Sequence, residues 1–129
     1  GCKKVVFFTV HTLEQVTHLT ETFFVRMMDA SAEFVCVHAE PVGWQMNEAV
    51  LNQIQGNRLH GEPGQISLFG AANEHFAASM PVMSHWNRNM IAVLRGLEGA
   101  GRIKILNLDR NYCGEQLYNP ATRIVWTRA

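Results

Sequence analysis

Polar side chains that can donate hydrogen bonds, accept them or carry protons follow several apolar runs of this sequence. In an open parallel sheet, loops and helix amino termini gather at the carboxyl ends of the strands, and ligands bind there. We therefore predict one binding site at the strand ends, for a small molecule that is anionic or nucleotide-like. Its predicted residues are His11, Thr12, His38, Glu40, Asn73, Asp109 and Arg110.

Each residue type has a role in such a site. Thr12 and Asn73 would each begin a helix, whose free backbone N–H groups bind anions. His11 and His38 would donate hydrogen bonds or protons, and the two charged residues after the fourth predicted strand would form the rim. These roles describe binding, and the sequence leaves open whether a reaction follows.

The segment His38-Ala39-Glu40 resembles an element of the zinc-dependent cytidine deaminases, in which the histidine binds zinc and the glutamate transfers protons. That family also has a downstream Pro-Cys-x-x-Cys, whereas here only Cys113 follows. None of the six histidines lies four residues from another, the spacing that presents two zinc ligands on one helix face. His11 and His38 with Glu40 or Asp109 form an alternative ligand set. Our prediction is a site without a metal and with no cofactor assigned.

Covalent catalysis needs a cysteine or serine beside a base. Cys36 lies in the apolar run 34–37, where a thiol is typically a buried hydrophobe. Cys113 lies in a polar stretch, and Arg110 is its nearest cation in the sequence. A nucleophilic Cys113 is therefore an alternative to simple binding.

Two strands and a helix must position the first half of the site. Val5–Val10 is a β-branched and aromatic run, typical of a strand covered on both faces, so we expect it at the centre of the sheet. Thr12, with Gln15 three residues later, predicts a helix of about 16 residues with Glu14 on its outward face. Residues 33–38 predict the next strand, parallel to the first. This topology resembles the first half of nucleotide-binding α/β families such as the universal stress proteins, although their glycine-rich phosphate motif is missing here.

Shorter patterns predict the remaining elements. A helix near 46–54 precedes a strand at 65–69, and an apolar stripe over 83–97 predicts a helix before a strand at 102–108. The last strand covers 122–127 and, with no helix before it, is expected to pair antiparallel at one edge. The predicted fold class is α/β: a mostly parallel, Rossmann-like sheet of about five strands with flanking helices, in a single domain over residues 1–129.

Composition excludes several classes. The chain has 47% hydrophobic and 17% charged residues and a formal net charge of zero, which is typical of a folded domain and not of a disordered or disulfide-rich one. No window approaches the roughly 20 apolar residues that span a bilayer. With no charged leader either, we predict a soluble, cytoplasmic protein without a membrane partner. Gly1-Cys2 leaves open a trimmed start or a processed lipoprotein.

Two further functions compete with ligand binding. The first is a non-enzymatic protein-interaction module of the accessory, immunity or antidefence type, which would expose an apolar patch or free sheet edge near Trp126. The second is an RNA-contacting domain that uses Arg102, Arg110 and Arg123. Residues 65–129 contain four acids and seven bases, an excess too small to indicate a nucleic-acid partner.

Overall fold

The computed structural model describes residues 4–46, 87–113 and 121–129, which contain one four-stranded sheet. The strands are β1 (Lys4–Val10), β2 (Glu33–Glu40), β3 (Ile103–Cys113) and β4 (Ala121–Arg128), in the order β1-β2-β4-β3 across the sheet. The α-helices are α1 (Glu21–Asp29) and α2 (Met90–Gly99), and short 3-10 helices cover Leu13–Gln15 and Gly43–Met46. Neither α-helix of these ranges has the length and hydropathy needed to cross a bilayer.

The β1-α1-β2 unit has the predicted parallel pairing, with β1 in register with β2 along its whole length. Alternate side chains of a strand point to opposite faces of the sheet. Phe7 packs against the hydrophobic core, whereas the next residue, Phe8, is 66% exposed. Within the described sheet β1 lies at an edge and not at the expected central position. Alternate residues of its apolar run therefore lie on the buried face and on the exposed face of the sheet.

The predicted mostly parallel, Rossmann-like sheet of about five strands is also wrong. In the described ranges there are four strands and two α-helices, and β4 lies between β2 and β3 and pairs antiparallel with both. Only residues 114–120 separate β3 from β4, fewer than the dozen or so that a parallel crossover requires. The last two strands are therefore antiparallel, as expected, but β4 is an inner strand and not an edge. The predicted strand at 65–69 lies outside the described residues.

The segment after β1 differs from the predicted 16-residue helix. A 3-10 turn covers Leu13–Gln15, and α1 begins only at Glu21. Thr20 has an extended backbone with a ψ of 154° directly before α1, the conformation usual for the residue that precedes a helix. The α-helix therefore starts after Thr20 and not at Thr12.

Aromatic side chains from α1, β2 and β4 form the centre of the core. Trp126 and Phe24 are fully buried, and their rings meet edge to face with centroids 5.9 Å apart. Phe34 meets Trp126 in the same way at 5.5 Å, and Met90 and Leu94 of α2 belong to the same cluster. Both helices thus pack on one face of the sheet. Burial of each large side chain contributes about 1.5–3 kcal/mol to the free energy of unfolding.

A buried amide network holds the amino terminus of α2. Asn87 Oδ1 accepts the Met90 N–H at 2.7 Å, and Gln45 Oε1 accepts the Ile91 N–H at 3.0 Å. These bonds supply partners for the first N–H groups of the helix, which have none within it. Gln45 Nε2 also donates to the Asn87 carbonyl at 2.9 Å. The network therefore joins α2 to the 3-10 helix that follows β2.

Candidate functional site

The structure brings most of the predicted site residues to one end of the sheet. Because β4 is antiparallel to β2 and to β3, the carboxyl ends of β1, β2 and β3 lie at the same end. The predicted residues at this end are His11, Thr12, Glu40, Asp109 and Arg110. His38 lies two residues before the end of β2, and Asn73 is outside the described residues.

His38 is fully buried, and both of its ring nitrogens have partners. Trp126 Nε1, which can only donate, lies 2.9 Å from His38 Nε2, and Thr9 Oγ1 lies 2.7 Å from Nδ1. Nε2 is therefore the acceptor, and Nδ1 carries the proton that it donates to Thr9. Burial lowers the pKa of His38 from 6.5 to about 4. The ring is a neutral part of the core, with both nitrogens engaged by protein.

The Glu40 carboxylate organises the turn after β1. It is fully buried, and its Oε2 accepts the backbone N–H groups of Thr12 at 2.9 Å and Glu14 at 3.3 Å. Such charge-assisted bonds are stronger than bonds between neutral groups. Thr12 Oγ1 in turn donates to the Val10 carbonyl at 2.8 Å. The N–H groups that were expected to receive a ligand anion at Thr12 are therefore occupied by Glu40.

A second buried carboxyl group, that of Glu14, lies against the first. Glu14 is 6% exposed, and its Oε2 and Glu40 Oε1 have no hydrogen-bond donor among the described residues. Burial, and then the hydrogen bond and the charge of Glu40, raise the pKa of Glu14 from 4.5 to about 7. Two carboxyl groups in contact hold one proton between them, because two buried negative charges repel. We name this arrangement the carboxyl pair, and the raised pKa places the protonation of Glu14 near neutral pH.

His11 lies on the solvent side of the carboxyl pair. Its Nδ1 is 3.5 Å from Glu14 Oε1, and its side chain is 44% exposed. Its backbone has a φ of +48°, a left-handed conformation that is uncommon for a residue other than glycine. The His11 N–H donates to the Ala39 carbonyl at 3.1 Å, which extends the bonding between β1 and β2 past the last residue of β1. The chain then turns so that Glu14 reaches Glu40.

Asp109 and Arg110 contact the strand beside them. Asp109 lies opposite Arg123 in the β3–β4 register, and their side chains are 3.8 Å apart. The Arg110 carbonyl accepts the Thr122 Oγ1–H at 3.0 Å. Thr122 in turn lies opposite Glu40 across the β2–β4 ladder. Arg110 therefore adjoins the Glu40 end of the sheet.

Sequence reasoning misses Glu14 and Trp126. A continuous helix from Thr12 would put Glu14 on its exposed face. Because the observed helical turn ends at Gln15, the Glu14 side chain is buried instead. The available signal was Thr20-Glu21, a second place at which a helix can begin. Trp126 is used in the sequence only to place the last strand, although a buried indole N–H needs an acceptor. A histidine within an apolar strand, such as His38, was the candidate acceptor.

The sequence also allows a metal site or a nucleophilic cysteine. In residues 4–46, 87–113 and 121–129, no three His, Cys, Asp or Glu side chains are arranged as metal ligands. Burial raises the pKa of the Cys36 thiol to about 12, so it is protonated and unreactive at neutral pH. Cys113, the alternative nucleophile, ends β3.

The fold and site define a small α/β domain with a mixed four-stranded sheet and a carboxyl pair buried at one sheet end. Comparison of the chain with protein families, with curated protein sequences and with solved structures finds no match. We therefore infer function from the geometry of the carboxyl pair.

Proposed function

We propose that this protein binds a small polar molecule at the sheet end where β1 and β2 finish, with the carboxyl pair at the centre of the site. One observation carries the proposal: two buried carboxyl groups, Glu14 and Glu40, meet beside a half-exposed histidine with a left-handed backbone, and the pKa of Glu14 is raised. Groups with strongly shifted pKa values and residues with strained backbones both concentrate at functional sites. The pair thus has the properties of a binding centre.

The chemistry of the pair selects the ligand group that meets it. A carboxylate accepts hydrogen bonds and attracts cations, and it repels phosphate or another carboxylate. A nucleotide-like ligand, as the sequence predicts, would therefore present the amino group of its base to Glu14 and Glu40 and keep its phosphate away from them. A small amine would meet the same two groups as a cation. We therefore propose ligands that present an N–H donor or a positive charge at this contact, in place of the anionic group that the sequence predicts.

A thermal-shift screen of nucleosides, nucleotides and small amines tests ligand binding. A ligand that binds only the folded state raises Tm in proportion to the logarithm of its concentration over Kd, once that ratio is large. We expect at least one of these classes to raise Tm and Glu40→Gln to remove the increase. Glu33→Gln is the matched control, because Glu33 begins the same strand at its opposite end and is exposed. A screen without a hit, or hits that stabilise Glu40→Gln equally, would contradict the proposal.

The sheet face away from the helices supports a second candidate, a protein-interaction module. Val6 and Phe8 are 68% and 66% exposed on this face. Val37 lies beside Phe8 in the β1–β2 register and opposite Val125 in the β2–β4 register, so the apolar surface continues across the sheet. Apolar patches of this kind mark interaction surfaces. Trp126, near which the sequence predicts the patch, is buried on the other face.

We propose a second copy of this chain as the occupant of that face. The centre of the face is uncharged, while Lys4 and Glu33 form an ion pair at one end and Arg123 and Asp109 at the other. An apolar centre with a polar rim is the usual anatomy of an interface, and a rim with both signs of charge meets itself without net repulsion. Analytical ultracentrifugation should show a dimer that Phe8→Ser converts to a monomer. A wild-type protein that stays monomeric as its concentration rises would exclude this candidate.

The RNA-contacting alternative has less support. Arg102 lies 3.6 Å from Glu21, and Arg123 lies 3.8 Å from Asp109. Arg123 also donates to Asn107 Oδ1 at 3.0 Å. Affinity for a nucleic acid comes largely from cations that bind phosphate, and these protein contacts compete with that use.

A further inference from the structure

We propose that the buried contact between the Glu14 and Glu40 carboxyl groups is a latch: it holds residues 11–19 and the first turn of α2 on the end of the sheet while a proton lies between the two groups, and loss of that proton releases them together. The latch needs no ligand and is independent of the proposed ligand binding. It would make the conformation of the sheet end depend on pH.

Residues 11–19 contact β2 through the Glu40 carboxylate. Glu40 Oε2 accepts the backbone N–H groups of Thr12 and Glu14, and the Glu14 carboxyl group contacts the Glu40 carboxyl group. With a proton between Glu14 and Glu40, their contact is a hydrogen bond. Without the proton, two negative charges repel in a buried site, where water screens them poorly. Binding of one proton therefore closes the contact between the two side chains, and loss of the proton opens it.

Residues 11–19 also contact the residues directly before α2. The Glu14 carbonyl accepts the Asn87 N–H, and Asn87 Nδ2 donates to the Val16 carbonyl at 2.8 Å. Asn89 Nδ2 donates to the Leu19 carbonyl at 2.7 Å, while its Oδ1 accepts the Leu19 N–H at 2.9 Å. Asn87 also accepts the first N–H of α2. Displacement of Glu14 therefore withdraws support from the first turn of the helix.

The charged and titratable groups around the pair come from three strands. After β1, His11 Nδ1 lies 3.5 Å from Glu14 Oε1 and is a second titratable group. On β2, burial lowers the pKa of His38 and keeps the ring neutral, with both nitrogens bonded to protein. On β3, Arg110 adjoins this sheet end, and Asp109 pairs with an arginine of β4. The first turn of α2 has no acidic residue. His11 is thus the neighbouring group whose contribution has to be separated from that of the pair.

The direction of the pH effect follows from linkage. Burial, and then Glu40, raise the pKa of Glu14 to about 7 in the closed form, while an open form returns it towards 4.5. The closed form therefore binds the proton more tightly, and it loses this advantage as the pH rises from 4.5 to 7. We expect the segment and the helix turn to open progressively as the pH rises from 4.5 to 7 and Glu14 loses its proton.

Amide hydrogen exchange between about pH 5.5 and 8 tests the latch, after correction for the intrinsic pH dependence of exchange. We expect protection of the Thr12, Glu14 and Met90 amides to decrease together over this range, by about tenfold or more. Protection in the β2–β4 ladder should stay constant. In Glu14→Gln the side-chain amide donates to Glu40 at every pH, so protection should become independent of pH. Glu33→Gln, an exposed carboxyl at the other end of β2, should behave as the wild type does.

Two outcomes would overturn the latch. One is constant protection of the three amides in the wild-type protein, and the other is a pH dependence that survives in Glu14→Gln but disappears in His11→Asn. If Glu14→Gln does not fold, a carbon-13 titration of the wild-type carboxyl groups replaces it. We expect Glu14 to titrate near pH 7, and a Glu14 step near its ordinary value of 4.5 would contradict the proposal. Because no ligand is added, these results are distinct from failure of the ligand screen.

Discussion

His38 and Glu40 lie two residues apart on the same face of β2, and the two side chains meet the cost of burial in opposite ways. His38 is neutral, accepts from Trp126 and donates to Thr9, and the Trp126 ring lies beside it at an interplanar angle of 26°. Glu40 is buried with a second carboxyl group, Glu14, and with two backbone N–H donors. One arrangement fits a fixed protonation state, and the other contains a proton that can leave.

This difference separates a structural buried group from a functional one. A buried polar group stabilises a fold when each of its atoms has a partner of matching chemistry. The ring of His38 meets this condition at neutral pH. The carboxyl pair meets it only while it holds its proton, so it costs stability at higher pH. Proteins keep such costly arrangements mainly where function depends on them.

The largest expected effect tests the structural side of this comparison. Trp126→Ala should lower the free energy of unfolding by about 3–5 kcal/mol, because it leaves a cavity and removes the donor to His38. Urea unfolding measures the change. Val16→Ala is the control, since Val16 is 43% exposed and its truncation should change stability by about 0.5 kcal/mol or less. Equal losses in the two variants would contradict the assignment of Trp126 to the core.

His38 and Glu14 make opposite contributions to the pH dependence of unfolding. The pKa of His38 falls from 6.5 to about 4 on folding, so its contribution is present above pH 6.5 and is lost as the pH falls from 6.5 to 4. The pKa of Glu14 rises from 4.5 to about 7, so its contribution is present below pH 4.5 and is lost as the pH rises from 4.5 to 7. Each shift corresponds to roughly 3 kcal/mol. Between pH 4.5 and 6.5 the two slopes cancel.

Single substitutions should therefore reveal slopes that the wild-type protein conceals. Relative to wild type, Glu14→Gln should gain stability as the pH rises from 4.5 to 7, by roughly 3 kcal/mol. His38→Gln, which keeps a donor and an acceptor, should lose stability relative to wild type over pH 4 to 6.5 by a similar amount. Urea unfolding at a series of pH values measures both. Parallel pH profiles for wild type and either variant would refute the shift assigned to that residue.

A pair of glycine substitutions gives a smaller effect and probes the packing beside the carboxyl pair. A Cβ at Gly43 would lie 2.6 Å from Thr122 Oγ1 and 3.0 Å from the Arg110 carbonyl oxygen, so Gly43→Ala should cost about 1–3 kcal/mol. A Cβ at Gly96 meets no atom within 4 Å, and Gly96→Ala should stabilise α2 by up to about 1 kcal/mol. Thermal unfolding compares the two. A neutral Gly43→Ala would mean that this sheet end packs loosely.

The smallest expected effect concerns the backbone of His11. His11→Gly and His11→Ala both remove the imidazole, but only glycine adopts a φ of +48° without steric cost. The glycine variant should therefore be more stable than the alanine variant by up to about 1 kcal/mol. Chemical denaturation of the two variants side by side measures the difference. If alanine proves equal or better, the left-handed turn is not strained.

The sequence predicts local elements better than their arrangement. The apolar runs of β1 and β2 and their parallel pairing follow from residue type and from the helix between them. The position of β4 between β2 and β3 does not, because that order depends on contacts between distant parts of the chain. The strand ends did indicate His11, Thr12 and Glu40 as neighbours. Glu14 could not be placed with them, because its burial depends on where a helix begins, and helix boundaries are the least certain part of a sequence-based prediction.

The composition and position of β1 also bear on how the chain behaves when it is crowded or partly unfolded. Val5–Val10 is six residues of high β-propensity with no charge and no proline, the type of segment that stacks into cross-β fibrils. In the described sheet it is an edge strand with one open apolar face. Lys4, at the first position of β1, is the kind of gatekeeper charge that interrupts such stacking. Removal of this charge together with that of the adjacent Lys3 should therefore accelerate fibril formation far more than it alters the native state.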